Sequence, residues 1–318
     1  MDALVQSCAQ LRGWPVQLTA WRLAVALLMI LACSCLPRNA QAHAREPAQT
    51  NEPSPAPRPT PLWRDDWPTF SLWEGAATIA AGAGTGALML VPAPSEPRWQ
   101  GGILFDDAAR DGLRLQSAAG RRKVRSLGDI PYFAAPVLPL LVDPLLVAWL
   151  GRGDAKTAVN LELMALEAFS YSGFASFLST RISRRERPDS SECRRLHPDG
   201  EGCGLDTESF FSGHTTIAAT SAGLLCANHS RLPLWGQPVA DASACVFSTT
   251  AAVASGLSRV VADRHYATDV LVGFGTGFGI GYVVPVLLHY SRAKTQVALS
   301  VQPGGPCTGA CLRLSGSF

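Results

Sequence analysis

Three short stretches of the chain carry residues whose types and spacing could do chemistry. One reads Ser258-Arg259, five residues, His265, three residues, Asp269. Four apart on a helix, His265 and Asp269 share a face. The carboxylate can then accept from one ring nitrogen, fix the tautomer and leave the other nitrogen free to attack. A second stretch, Phe211-Ser212-Gly213-His214, opens an apolar run. Free N–H groups at a helix start favour an anion at Ser212 and Gly213, and glycine lets the backbone approach closely. His214 would be placed to hand a proton to a leaving oxygen. The third, Arg184-Arg185-Glu186-Arg187-Pro188, closes another apolar run. The planar forks of Arg187 and Arg259 suit phosphate oxygens. Each stretch alone has an ordinary explanation: a basic helix cap, an N-cap, a structural histidine. Together they describe phosphoryl transfer through a phosphohistidine, with no metal-ligand spacing.

These groups need a helical frame, and the composition supplies one. Of 318 residues, 47% are hydrophobic and 16% charged, against about 25% charged in ordinary soluble domains. A wholly disordered chain is excluded. The net charge of +2 gives no broad basic footprint, so nucleic acid is not an expected partner. Apolar helical stretches fall near 70–91, 132–150, 158–180, 212–229, 242–260 and 267–290, and none alternates as a strand does. The basic, amphipathic 98–128 segment predicts one or two short helices. Val297, Leu299 and Val301 alternate with polar or small residues before a Pro303-Gly304-Gly305-Pro306 turn, which predicts a short C-terminal β-hairpin. The small residues Gly273, Gly277 and Gly281, with Asp269, form an i, i+4 stripe that predicts close helix packing. His197, His229 and His289 lack partners at useful spacing and read as structural or exposed. Glu74, Glu162 and Glu167 interrupt apolar stretches, as intramembrane groups or as parts of a partly wet bundle.

The N-terminus has the form of an export signal. Arg12 and Arg22 precede an apolar run from Leu23 to Cys35, and Ala40-Gln41-Ala42 offers a small-residue cleavage site. The expected organisation is a signal peptide at 1–42, a Pro-rich linker at 43–68, a helical domain at 69–292 and a tail at 293–318. An oxidising compartment would favour bridges within Cys193/Cys203 and Cys307/Cys311. Cys226 and Cys245, in apolar stretches, read as inert core thiols. Val270–Leu288 is long and apolar enough to span a bilayer. Six full spans after an exported start would put the catalytic loops inside, which conflicts with a periplasmic site. The expectation is an exported envelope protein, either membrane-associated with its site in the periplasm or soluble and periplasmic.

The three stretches resemble the signature of the type 2 phosphatidic acid phosphatase and vanadium haloperoxidase superfamily. That pattern is Lys, six residues, Arg-Pro; then Pro-Ser-Gly-His; then Ser-Arg, five residues, His, three residues, Asp. The third element matches in full and all three keep the family's order. The resemblance implies an all-α six-helix bundle of the phosphatidic acid phosphatase type. It implies His265 as nucleophile, Asp269 as its orienting carboxylate and His214 as general acid. Arg187, Arg259, Ser212 and the Gly213 backbone would hold the phosphate oxygens. Two positions depart from the pattern: Phe211 replaces the proline, and Thr180 stands where the lysine belongs. Arg181 or Arg184 is the candidate for the missing charge.

The expected activity is metal-independent hydrolysis of a phosphomonoester or diphosphate, in particular a lipid phosphate, with a phosphorylated lipid or small phosphate ester as partner and no cofactor. One alternative is a vanadate-dependent haloperoxidase, with vanadate in the same anion pocket. Another is a non-catalytic envelope protein that binds phospholipid.

Overall fold

The structure, a computed structural model, describes residues 61–92, 94, 96–197 and 206–291, together with the backbone of two short strands at 298–302 and 311–315. The segments expected to be a signal peptide and most of a Pro-rich linker, with Cys203 and Cys307, lie outside the described residues. The regular elements among the described residues are helices, apart from the two strands. They are α1 (Leu72–Leu90), α2 (Asp106–Leu113), α3 (Ala118–Ala134), a π-helical stretch (Leu138–Gly151), α4 (Ala155–Ser183), α5 (Pro188–Leu196), α6 (Gly213–His229), α7 (Pro238–Val261) and α8 (Ala267–Leu288). The apolar stretches fall on α1, the π-helical stretch, α4, α6, α7 and α8. The additional helices α2, α3 and α5 arise from polar sequence. The strands Ala298–Gln302 (β1) and Cys311–Ser315 (β2) pair antiparallel, Ala298 opposite Ser315.

Local chemistry sets the boundaries. Ser71 and Glu74 close a capping box on α1. Asp154 caps α4 by accepting from Thr157 N at 3.0 Å. Arg184 ends α4 in the left-handed conformation, and Pro188 and Pro238 start α5 and α7 with their fixed φ. Pro144 inside the π-helical stretch has no N–H to give the ladder.

The packed chain begins earlier than the expected boundary at 69. Trp63 is 2% exposed and lies edge-on to Trp67 at 5.1 Å, and both rings meet Tyr290. Leu62 N donates to Asp154 Oδ2 (2.6 Å) and Trp63 N to Thr157 Oγ1 (2.8 Å). The end of the linker is therefore docked, because burying two tryptophans outweighs its proline content.

The pair that matters for the site is α6 against α8. Their backbones touch along glycines. A Cβ at Gly273 would lie 2.8 Å from Ser212 O, and one at Gly223 would lie 2.6 Å from Phe278 O. Gly277 and Gly281 sit tighter still on the Thr216 and Thr220 carbonyls. This seat fixes the start of α6 over the start of α8.

Cys226 and Cys245 form a disulfide, with their Cα atoms 4.4 Å apart. The expectation of inert thiols is thereby corrected: α6 and α7 run side by side, and both cysteines lie on the shared face. Cys193 is also disulfide-bonded. Three stretches are long and apolar enough to cross a membrane: Ala118–Gly151, Pro238–Val261 and Ala267–Leu288. They turn large apolar side chains outward, among them Leu150, Phe247, Leu271 and Leu287, a surface that suits hydrocarbon.

Candidate active site

His265 sits in the turn before α8 and is 3% exposed. Its Nδ1 donates to the carbonyl of Ser209 at 2.8 Å. A carbonyl can only accept, so Nδ1 carries the proton and Nε2 the lone pair. Asp269, four residues on, lies farther from Nδ1, at 3.7 Å. The Arg187 guanidinium donates to Nε2 at 3.2 Å. Burial first, and then the Arg187 charge, push the His265 pKa below its ordinary value, so the imidazole is neutral at neutral pH.

Asp269 is fully buried and fully engaged. Its Oδ1 accepts from Arg185 Nη1 (2.6 Å), and its Oδ2 from Ser209 Oγ (2.6 Å) and Tyr266 N (2.9 Å). The last bond caps α8. Arg187 begins α5, where Pro188 holds the chain extended, and its Nε lies 2.7 Å from Asp206 Oδ2.

Across the site, Ser212 caps α6, accepting from Thr215 N at 3.5 Å and from Thr215 Oγ1 at 2.9 Å, and its own N–H donates to Asp269 O at 3.1 Å. The cap of one helix is thus tied to the first turn of the other. Gly213 is close-packed: a Cβ there would stand 3.2 Å from Ser176 Oγ. His214 follows in the first turn of α6, about one third exposed, its ring tilted over Tyr132 at 4.3 Å. Burial, with the Arg259, His265, Arg187 and Arg125 charges, lowers its pKa to about 3. Arg259, at the end of α7, is 2% exposed and donates through Nη2 to Asp129 Oδ1 (2.8 Å) and to Arg125 O (3.2 Å). Asp129 Oδ1 also lies 3.3 Å from His214 Nε2.

The structure thus gathers His265, Asp269, Arg187, Ser212, Gly213, His214 and Arg259 at one end of the bundle. Of the two further candidates, Arg181 points elsewhere. Arg181 donates to Leu88 O and Val91 O and pairs with Glu208, at the end of α1. Arg184 spends its carbonyl on Arg98 N at 3.2 Å, in the cap of α4. Thr180 is nearly buried, its hydroxyl donating to Phe177 O.

The motif spacing assigns no role to five further residues of the site. Asp129 and Tyr132 come from α3, Asp106 from α2, and Ser209 and Arg185 from the segments flanking α5. Only the packing of distant elements brings them in. The i, i+3 spacing of Asp129 and Tyr132 was the one available hint. Away from this end, His229 is not partnerless. Its Nδ1 lies 2.7 Å from Asp241 Oδ1 and its Nε2 3.1 Å from Asp143 Oδ2. His289 meets Glu167 at 3.0 Å. The partners lie up to 122 residues away in sequence, beyond the reach of local spacing. Among the described residues no cluster of His, Cys, Asp and Glu could hold a metal ion.

Comparison with known proteins gives three matches. Residues 161–293 match the profile of the PAP2 superfamily. An 87-residue stretch is 34% identical to a lipid A 1-phosphatase of Porphyromonas gingivalis, covering 27% of this chain and 17% of that protein. The match thus spans about a sixth of that relative's length. A crystal structure of a transmembrane PAP2-type phosphatidylglycerolphosphate phosphatase from Bacillus subtilis aligns at a TM-score of 0.42 and 19% identity. It covers 67% of this chain and 94% of the other.

Proposed function

We propose, from the premise that residues 161–293 form a PAP2 superfamily domain, that the chain is a membrane-associated phosphatase. It hydrolyses a phosphomonoester or diphosphate of a lipid through a phosphohistidine, without a metal. One observation carries this: the neutral His265 presents its Nε2 lone pair to the Arg187 guanidinium, where a phosphate would be held. The lipid A phosphatase among the relatives supports a lipid phosphate, and the outward apolar faces support a substrate drawn from a bilayer. The Cys226–Cys245 disulfide supports an exported, oxidising location.

In the first step His265 Nε2 attacks phosphorus, the N–P bond forms and the P–O bond to the leaving group breaks. His214 gives its proton to the departing oxygen. In the second step water attacks phosphorus, His214 takes its proton, and the N–P bond breaks to free His265 and phosphate. Arg187, Arg259, the Gly213 N–H and the start of α6 balance the charge on the equatorial oxygens. A bound phosphate offsets the guanidinium charges that lower the His214 pKa, so the acid acquires its proton together with substrate.

The test is phosphate release by the full chain in detergent, with EDTA present. The substrates are phosphatidylglycerol phosphate, a polyprenyl diphosphate and an aryl phosphate, with His265→Ala alongside. Release that survives EDTA and disappears in the variant is expected. No release from any substrate by a folded protein would overturn the reading. Thr180 favours a second reading, binding without turnover, because it removes a cation from the family pattern. Saturable binding of a phosphorylated lipid with no phosphate released would establish it.

A further inference from the structure

Arg185 is the most completely enclosed cation of the described chain. It is 0% exposed and lies face-on between two aromatic rings, 4.1 Å from Trp99 and 4.0 Å from Tyr266. Its Nη1 donates to Asp269 Oδ1 (2.6 Å) and Thr268 Oγ1 (2.9 Å), and its Nη2 to Asp106 Oδ2 (2.7 Å) and Gly101 O (3.0 Å). Asp106 is itself fixed by Thr268, accepting from its N–H at 2.8 Å and its hydroxyl at 2.7 Å. The Arg185 backbone is anchored as well. Its carbonyl accepts from Ser209 N at 3.0 Å, and Ser209 is the residue whose carbonyl holds His265.

We infer that Arg185 is a positioning residue for the nucleophile: by claiming Asp269 it diverts the Nδ1–H of His265 to the carbonyl of Ser209. The inference rests on the phosphohistidine reading above. Asp269 Oδ1 is spent on Arg185 and Oδ2 on Ser209 Oγ and Tyr266 N, so the carboxylate stands back at 3.7 Å from the ring. A direct carboxylate partner would hold the imidazolium form strongly. A carbonyl partner fixes the same tautomer with a weaker hold on the proton, and Nε2 keeps its lone pair, turned to Arg187.

The charges facing His265 come from every side. Arg187 approaches from the start of α5, Asp269 from α8 and His214 from α6. Arg185 and Asp106 stand behind Asp269. The neighbouring Asp263 and Arg264 are each paired, Asp263 with Arg110 and Arg114, and Arg264 with Asp189 and Asp206. Arg185 orients Asp269 through Oδ1, while Ser209 Oγ and Tyr266 N hold Oδ2, the oxygen that faces His265.

The test compares Arg185→Met, Arg185→Lys and Asp106→Asn with the native chain by two measurements. The first is the pH profile of kcat/KM. The second is the imidazole proton spectrum of the substrate-free protein in detergent. In Arg185→Met, the freed Asp269 is expected to take the His265 proton. A low-field Nδ1–H resonance absent from the native protein should appear, and the acid limb should move up by about one pH unit. Inorganic phosphate, which Arg185 does not touch, should inhibit within about twofold of native. Arg185→Lys should give the same two signals at smaller amplitude, since one ammonium cannot span both carboxylates, and it carries the test if the methionine variant does not fold. Asp106→Asn leaves Arg185 on Asp269, so the low-field signal should stay absent and the limb should not rise. The inference is overturned if neither Arg185 variant shows the new resonance or the upward limb, or if Asp106→Asn shows both. A native protein that releases no phosphate would defeat the proposed function alone, because the imidazole spectrum is read without turnover.

Discussion

Asp129 and Arg259 face each other at 2.8 Å, one from α3 and the other from α7. A carboxylate therefore occupies the guanidinium that the motif assigns to phosphate. The same oxygen lies 3.3 Å from His214. The approach is set by Gly128, where a Cβ would stand 2.7 Å from Ser258 Cβ and 2.9 Å from Arg259 Nη2. Asp129→Asn should have two opposite effects. Phosphate should inhibit roughly fivefold more tightly, since a partly exposed charge pair competing for Arg259 is worth about 1 kcal/mol. Turnover should fall roughly tenfold as His214 loses its orienting partner. Steady-state inhibition and kcat separate the two, and weaker phosphate inhibition would contradict the role given to Asp129.

The His214 pKa, lowered to about 3 in the empty site, predicts proton uptake on anion binding. The bound anion raises the pKa, so the complex holds a proton that the free protein lacks, and affinity must fall as pH rises. Sulfate keeps a constant charge across this range. Its dissociation constant should weaken from pH 4 towards pH 7 by up to about tenfold per unit. His214→Ala should flatten the dependence, and a flat native profile would rule out the coupling.

His265 titrates below its ordinary value because it is buried beside Arg187. In the proposed mechanism the attacking form is neutral, so activity is expected above that pKa and lost as pH falls through it. The acid limb of kcat/KM should lie below about pH 6.5. Arg187→Ala should weaken phosphate inhibition and move the limb upward. His265→Ala should lower kcat by about 10³-fold or more.

The glycine seat between α6 and α8 can be tested by one contrast. Gly277→Ala puts a methyl group against the Thr216 backbone, whereas Gly275 has open space around its missing Cβ. The first should cost about 1–3 kcal/mol. The second should cost nothing and gain up to about 1 kcal/mol from the better helix former. Thermal unfolding in one detergent compares them, and equal melting temperatures would remove the seat as a source of stability.

The sequence made one part of the site visible because its groups are local. Ser212, Gly213 and His214 are consecutive, and His265 and Asp269 lie one helical turn apart. Arg185 was visible only as a charge in a basic run. Its role depends on Asp106, 79 residues away, and on Asp269, 84 residues away. Asp129 lies 130 residues from Arg259, on a helix whose packing no local pattern encodes. The apolar stretches announced the long helices. The docked Trp63 was hidden by the prolines around it, and the Cys226–Cys245 bridge by the apolar setting of both cysteines.

That bridge has a mechanical consequence. Cys226 lies 12 residues along α6 from His214, and Cys245 lies 14 residues back along α7 from Arg259. At 1.5 Å per residue these are lever arms of about 18 and 21 Å. The two helices are pinned together far from the groups they carry. A tilt of about 3° around the pin swings His214 or Arg259 by about 1 Å, a displacement large enough to cost a hundredfold in rate. The fulcrum is covalent while the working tips are held by noncovalent contacts, the glycine seat under α6 and Asp129 beside Arg259.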